Sequence, residues 1–175
     1  MSDPKPAEAV KLFASILFSD KVLLPAVLSV LTDEYGLIDF ISPARPFLYT
    51  DYYCREMGLT MERLFVSFAA LIRPELLPAV KLKTNDLEKT FSRDGGRRVN
   101  IDPGYVSSAQ LILATGKGFA HRPYLRDGIY ADLTLMYYEK SFQTLPWTYP
   151  DYGEEETRLM FNRLRAKYLL QVKNI

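Results

Sequence analysis

The chain has 175 residues, 48% of them hydrophobic and 25% charged, with a formal net charge of +1. That length supports one domain with its own core and falls short of two, and the near-neutral balance argues against a general nucleic-acid or membrane-surface binder. A lone Cys54 excludes an internal disulfide and a cysteine-based zinc cluster. No apolar run approaches the length a bilayer needs, and Met-Ser-Asp-Pro-Lys-Pro lacks the apolar segment of a signal peptide. The expectation is one domain over 1–175 with a flexible stretch at 1–8, in a cytoplasmic monomer or small homo-oligomer.

Val10 to Phe18 is apolar on both faces, the pattern of a central strand. Leu24, Val27, Leu28, Leu31 and Tyr35 then form a helical stripe that Gly36 ends. Leu37 to Ile41 reads as a short strand. Ser42 to Pro46 reads as irregular, and Phe47 to Thr50 as a strand end. Asp51 to Gly58 fits no regular pattern, and its tyrosines, Tyr52 and Tyr53, are expected to cap a core edge. Glu62 to Ile72 alternates cleanly as a strand, closed by Pro74. Pro78 to Phe91 carries a helical stripe at Val80, Thr84, Leu87 and Phe91, and Ser92 to Gly96 is a turn or mobile loop.

Arg97 to Ile101 reads as a strand ended by Asp102-Pro103-Gly104, a strong turn signal. Ala109 to Thr115 is the next strand, stopped by Gly116-Lys117-Gly118. Ile129 to Tyr138 follows, entered through Arg126-Asp127-Gly128 and left at Glu139-Lys140. A last helix over about Glu154 to Val172 places Glu154, Glu155 and Glu156 at its start and Arg163, Arg165, Lys167 and Lys173 toward its end, as the helix dipole favours. The order β-α-β-β-α-β-β-β-α lacks the strict alternation of a doubly wound sheet. It predicts a single α+β domain: a mostly antiparallel sheet covered by helices, an elaborated ferredoxin-like core.

Arg98 to Tyr105, Leu113-Ala114-Thr115, Lys117, His121-Arg122, Tyr124-Leu125, Gly128 to Ala131 and Trp147 to Tyr152 together resemble the DUF4416 family. The resemblance extends to Lys11-Leu12-Phe13, Tyr52-Tyr53 and Glu56-Met57-Gly58, so it spans nearly the whole chain. It implies a domain identity and no reaction, although members of such families have been labelled GTP-binding. A P-loop needs G-x-x-x-x-G-K-[ST] to cradle phosphates and reach magnesium. Gly116-Lys117-Gly118 has neither the upstream glycine nor the following hydroxyl, and no Asn-Lys-x-Asp motif occurs. Gly118 also departs from the family pattern, in which an acidic residue is expected.

Candidate chemistry concentrates in 97–152. Lys117, Arg122 and Arg98 can hold an anion, since Arg offers a planar fork of donors and Lys a point charge. His121, the only histidine, titrates near neutrality and is the candidate acid or base. The structural alternative is a loop in which Arg122 pairs with Asp127 or Asp132. Asp102 and Asp132 are candidate magnesium ligands. Against that, Asp102 can simply close an Asx turn, and Asp132 lies mid-strand, where it needs a cationic partner. Asn100, Thr115, Trp147 and Asp151 complete the ligand-binding set, Trp147 as an aromatic wall and Asp151 as an acceptor or helix cap.

The leading expectation is an anionic small molecule, phosphorylated or nucleotide-like, bound in a cleft built from 97–152. Whether the protein is also an enzyme is left open. The alternative is a non-catalytic interaction or homo-oligomerising protein, motivated by the 13% aromatic content and by uneven charge. Residues 93–126 are rich in Lys and Arg, whereas 127–156 are rich in Asp and Glu. Nucleic acid ranks below both, for want of an RRM-type signature.

Overall fold

Strand β1, Val10–Phe18, is buried along its entire length, because β4 (Glu62–Ile72) pairs with one of its edges and β5 (Val99–Val106) with the other. The computed structural model describes residues 3–49, 54–58, 60–93 and 95–173. The sheet order is β2-β4-β1-β5-β6-β8-β7, antiparallel throughout, with β3 added on β4 and β9 on β8. Here β2 is Ile38–Ile41, β3 Arg45–Pro46, β6 Gln110–Thr115, β7 Tyr124–Arg126, β8 Ile129–Tyr138 and β9 Ser141–Thr144.

Helix α1 (Leu24–Tyr35) joins β1 to β2 with β4 lying between them. Helix α3 (Leu77–Thr90) joins β4 to β5 with β1 between them. These two split crossovers are the ferredoxin-like arrangement, and β6 to β9 extend it beyond β5. Helices α2 (Cys54–Met57) and α4 (Pro150–Gly153) are single turns, and α5 (Glu155–Lys173) closes the chain. No helix among the described residues is long and apolar enough to cross a membrane.

The alternation of β1 divides the core. Leu12, Ala14, Ile16 and Phe18 pack with Val27 and Leu31 of α1 and Val80 of α3 on one face. On the other face Phe13 meets Phe161 of α5 edge-on, with ring centroids 5.0 Å apart, and Phe65, Leu113 and Tyr152 join that cluster. Helix α5 is fastened by charge as well. Asp39 binds Lys11 at 2.5 Å and Lys167 at 2.7 Å and accepts from Ser67 at 2.6 Å. Burial alone would raise the Asp39 carboxyl. The hydrogen bonds from Lys11, Lys167 and Ser67 outweigh it and hold the group below its ordinary range.

The helices and the long strands follow their apolar periodicity closely, and the turns are where the structure differs. Asp102-Pro103-Gly104 does not turn the chain; β5 runs straight through it. The ladder between β5 and β6 covers only Gly104 to Val106, so the earlier part of β5 faces a gap. The Ile101 N–H and C=O point away from β1 into that gap. Pro103, two residues on, turns its nitrogen to the same side, where no ladder donor is needed.

Arg45 and Pro46 pair with Arg63 and Glu62 as a short edge strand, which tolerates proline. Asp127 and Gly128 (φ +54° and +76°) close the hairpin between β7 and β8. Glu139 and Lys140 (φ +49° and +65°) close the one between β8 and β9. The second turn hides from a sequence reading because Asn-Gly and Asp-Gly, not Glu-Lys, mark such left-handed pairs. Asp51, Tyr52, Tyr53, Leu59 and Asp94 lie outside the described residues.

Gly104 is the tightest point of the sheet. A Cβ there would lie 2.5 Å from the Ile112 carbonyl oxygen and 2.7 Å from the Phe13 ring. Gly104→Ala is therefore expected to destabilise the fold by about 2–3 kcal/mol, measured by urea unfolding. A loss within about 0.5 kcal/mol would show that β5 and β6 are not held in this register.

Candidate functional site

Where β5 and β6 part, a cleft of about 590 Å³ opens on the α5 face of the sheet. Its walls are the ends of the central strands: Ser15 and Leu17 of β1, Arg63 of β4, Asn100 and Asp102 of β5, Thr115 of β6 and Asp132 of β8. Tyr149 and the short helix α4 form the remaining side. Helix α3 plugs the gap itself. The Lys81 Nζ donates to the Ile101 carbonyl at 3.1 Å and to Asp102 Oδ1 at 2.8 Å. Glu88 Oε1 accepts from the Ile101 N–H at 2.6 Å. The two side chains thus replace the ladder that β6 does not supply.

A polar chain runs along the β5 wall. Arg97 Nε donates to Glu56 at 2.5 Å and its Nη1 to Asn100 Oδ1 at 3.0 Å. Asn100 Nδ2 in turn donates to Asp102 Oδ2 at 2.7 Å. On the opposite wall the carboxylate of Asp132 is almost fully buried. It takes Arg122 Nε at 2.7 Å, and its Oδ1 accepts from Thr134 at 3.2 Å. Arg122 also donates to the Lys117 carbonyl at 3.1 Å and to the Tyr149 hydroxyl at 2.7 Å, so its fork ties three segments together. Arg63 pairs with Asp151 and lies over the Tyr152 ring, 5.2 Å from its centroid. Burial pushes the Tyr149 phenol up, with Arg122 opposing.

Of the residues read from the sequence, Asn100, Asp102, Thr115, Lys117, Asp132 and Asp151 line this cleft. The others are placed elsewhere. Arg98 binds Asp20 at 2.6 Å near the start of α1. Arg122 stands behind Asp132, in the pairing that the structural alternative described. Trp147 donates to the Leu133 carbonyl at 2.8 Å and stacks on His121 at 4.8 Å, outside the lining. His121 packs against Asp132, its Nε2 3.6 Å from Oδ2 and without a hydrogen bond among the described residues.

Asp102 and Asp132, the candidate magnesium ligands, are each engaged by a cation. Among the described residues no three His, Cys, Asp or Glu side chains converge as a metal site. The sequence reading missed Lys81, Arg63, Arg97, Ser15 and Tyr149. A signal existed for Lys81: with Thr84 and Glu88 it forms a polar line at i, i+3, i+7, adjoining the apolar stripe of α3. Nothing local marks Ser15 or Arg63, which reach the cleft only through strand order.

Arg122→Leu leaves Asp132 charged and buried, and is expected to cost about 3–5 kcal/mol in urea unfolding. Adding Asp132→Asn should recover most of it. A loss below about 1 kcal/mol would mean that the pair does not carry this wall.

Glu88 tests the plug. Burial pushes its carboxyl above the ordinary range, against the pull of Lys81 and the Ile101 N–H. A carboxyl raised in the fold stabilises most below its unfolded-state pKa, and that contribution is lost as pH rises through the folded-state value. Relative to Glu88→Gln, the wild type should therefore lose stability between about pH 4 and neutrality. An unfolding free-energy difference that stays constant over that range would overturn the assignment.

The model of a domain of unknown function, DUF4416, matches residues 8–168. No curated protein and no solved structure matches the chain. With nearly the whole chain covered, including β1, the cleft walls and most of α5, the protein belongs to the DUF4416 family.

Proposed function

We propose that the protein binds an anionic small molecule, phosphorylated or nucleotide-like, in the cleft between β5 and β6. The observation that supports this most is the ionic pattern of the lining. Arg63, Lys81, Arg97 and Lys117 face Asp102, Asp132 and Asp151. Each of those carboxylates is met by a cation, Asp102 by Lys81, Asp132 by Arg122 and Asp151 by Arg63. The cleft thus offers an anion a cationic rim without exposing an unanswered carboxylate to repel it. The Thr115-Gly116-Lys117 turn, held by the Lys117 N–H donating to Thr115 Oγ1 at 3.1 Å, leaves room beside it, since a Cβ at Gly116 would meet nothing within 4 Å. Tyr49, Tyr149 and Phe47 supply flat apolar walls, and the volume suits one small ligand. The absence of a P-loop means that such a ligand would be held by side chains and this turn, not by a glycine-rich cradle.

The second reading, an interaction or self-associating protein, draws on Phe119, Tyr124 and Leu125, all exposed at or beside the edge strand β7. Thermal-shift titration with inorganic phosphate, sugar phosphates and nucleotides, with and without magnesium, separates the two. A ligand at about a hundredfold its dissociation constant should add roughly 2.7 kcal/mol, and Lys117→Ala and Arg97→Ala should weaken it. No shift from any of these compounds, with a dimer mass by light scattering, would favour the second reading.

A further inference from the structure

Tyr152 lies on the floor of the cleft with only 3% of its surface exposed. Its ring is fixed on every side: stacked on Phe161 at 5.9 Å, edge-on to Phe65 at 5.6 Å, and covered by the Arg63 guanidinium. The Ser15 side chain is a hydrogen-bonding neighbour of the phenol, short of a bond of normal geometry. The Tyr152 hydroxyl makes no hydrogen bond of normal geometry with any described residue. A buried O–H left without an acceptor is unfavourable, and buried phenols ordinarily find a partner.

The surroundings of that hydroxyl are specific. Ser15 sits directly across the ladder from Asp102, and both line the cleft with Tyr152. The Asp102 carboxylate is anchored by Lys81 and Asn100, but it is 37% exposed and has lone pairs to spare. The floor therefore presents in one cleft a donor without a bond of normal geometry, a side-chain hydroxyl and an acceptor. Phosphate oxygens, as acceptors, offer Asp102 no hydrogen to take. A group that accepts from Tyr152 and donates to Asp102 is a hydroxyl.

Resting on the binding function proposed above, we infer that the floor formed by Tyr152, Ser15 and Asp102 is a hydroxyl-reading subsite, and that the ligand is a polyhydroxylated phosphate, such as a sugar phosphate or the ribosyl phosphate of a nucleotide. Its hydroxyls point to the floor and its phosphate to the Lys117 rim. Tyr152 is the specificity-determining residue, Asp102 accepts from the ligand, and Lys81 and Asn100 position Asp102.

The test compares ribose 5-phosphate, adenosine 5′-monophosphate, butyl phosphate and inorganic phosphate on the wild type, Tyr152→Phe and Ser15→Ala, by calorimetry and thermal shift. Ribose 5-phosphate should bind the wild type about tenfold more tightly than butyl phosphate. Tyr152→Phe should erase that margin and leave butyl phosphate unaffected. The unliganded melting temperature of Tyr152→Phe should be unchanged or higher, because an unsatisfied donor has been removed. Ser15→Ala should narrow the margin in the same direction. Tighter binding of the nucleotide than of ribose 5-phosphate identifies a ribosyl phosphate carrying a base; equal binding identifies a sugar phosphate; both support the subsite. Equal affinity of the wild type for ribose 5-phosphate and butyl phosphate would overturn the inference while leaving the anion site standing. So would a Tyr152→Phe variant that keeps the preference or melts lower. If no phosphate compound binds, the binding function fails and the subsite falls with it.

Discussion

Ile101 turns its backbone N–H and C=O away from β1 into a gap that β6 does not reach, and much of the molecule follows from how that gap is managed. Each group left unpaired in the interior would cost about 1–3 kcal/mol. Helix α3 answers both, with Glu88 for the N–H and Lys81 for the C=O. This fixes the helix on β5, keeps β6 at a distance, and leaves an open space at one end of the sheet. The same lysine then holds Asp102, so the repair of a backbone defect also orients a carboxylate that faces the cleft. A hydrophobic residue at 81 or 88 would leave one of the Ile101 backbone groups unsatisfied.

The cleft is organised by ion pairs of different depth. Arg122 and Asp132 are both well buried, and Arg63 and Asp151 nearly as much, whereas Asp102 retains a large exposed fraction. Buried pairs of this kind contribute less to net stability than to keeping a unique arrangement. Here they lock β4 to α4 and the His121 loop to β8, which sets the positions of Tyr149 and Tyr152. His121, the only histidine, sits 3.6 Å from the Asp132 carboxylate, stacks on Trp147 and is not among the residues lining the cleft.

How far the sequence could be read depended on the range of the interactions involved. β1, β4, β8, α1 and α5 were legible because each carries its own periodicity, and Gly36 ends α1 with φ +83°, as a helix stop of this kind requires. Asn100, Asp102, Thr115, Lys117, Asp132 and Asp151 were legible as polar residues set among apolar strands or beside their ends and turns. Pro103 misled because local turn chemistry was outweighed by a long-range fact, that its nitrogen faces a gap. Arg97 and Arg98, in the segment just before β5, diverge. Arg97 turns to the cleft and Arg98 to Asp20, and nothing in their immediate neighbours says which is which.

The position of β1 has a consequence for synthesis. It precedes every other described element in chain order, and seven of its nine residues are apolar. One of its partners begins at residue 62 and the other ends at residue 106. Until residue 72 has been made, then, Val-Lys-Leu-Phe-Ala-Ser-Ile-Leu-Phe has neither edge paired; its second edge waits for residue 106 and its α5 face for the last helix. Such a stretch, with one charge in nine residues, has the composition of an aggregation-prone segment. Lys11 is that charge, and it ends up wholly buried on Asp39. In the nascent chain it is solvated and repels other copies of the strand. In the finished fold its cost is met by Asp39 and the Phe68 carbonyl. One residue guards the strand until its partners arrive and then becomes part of the fastening for α5.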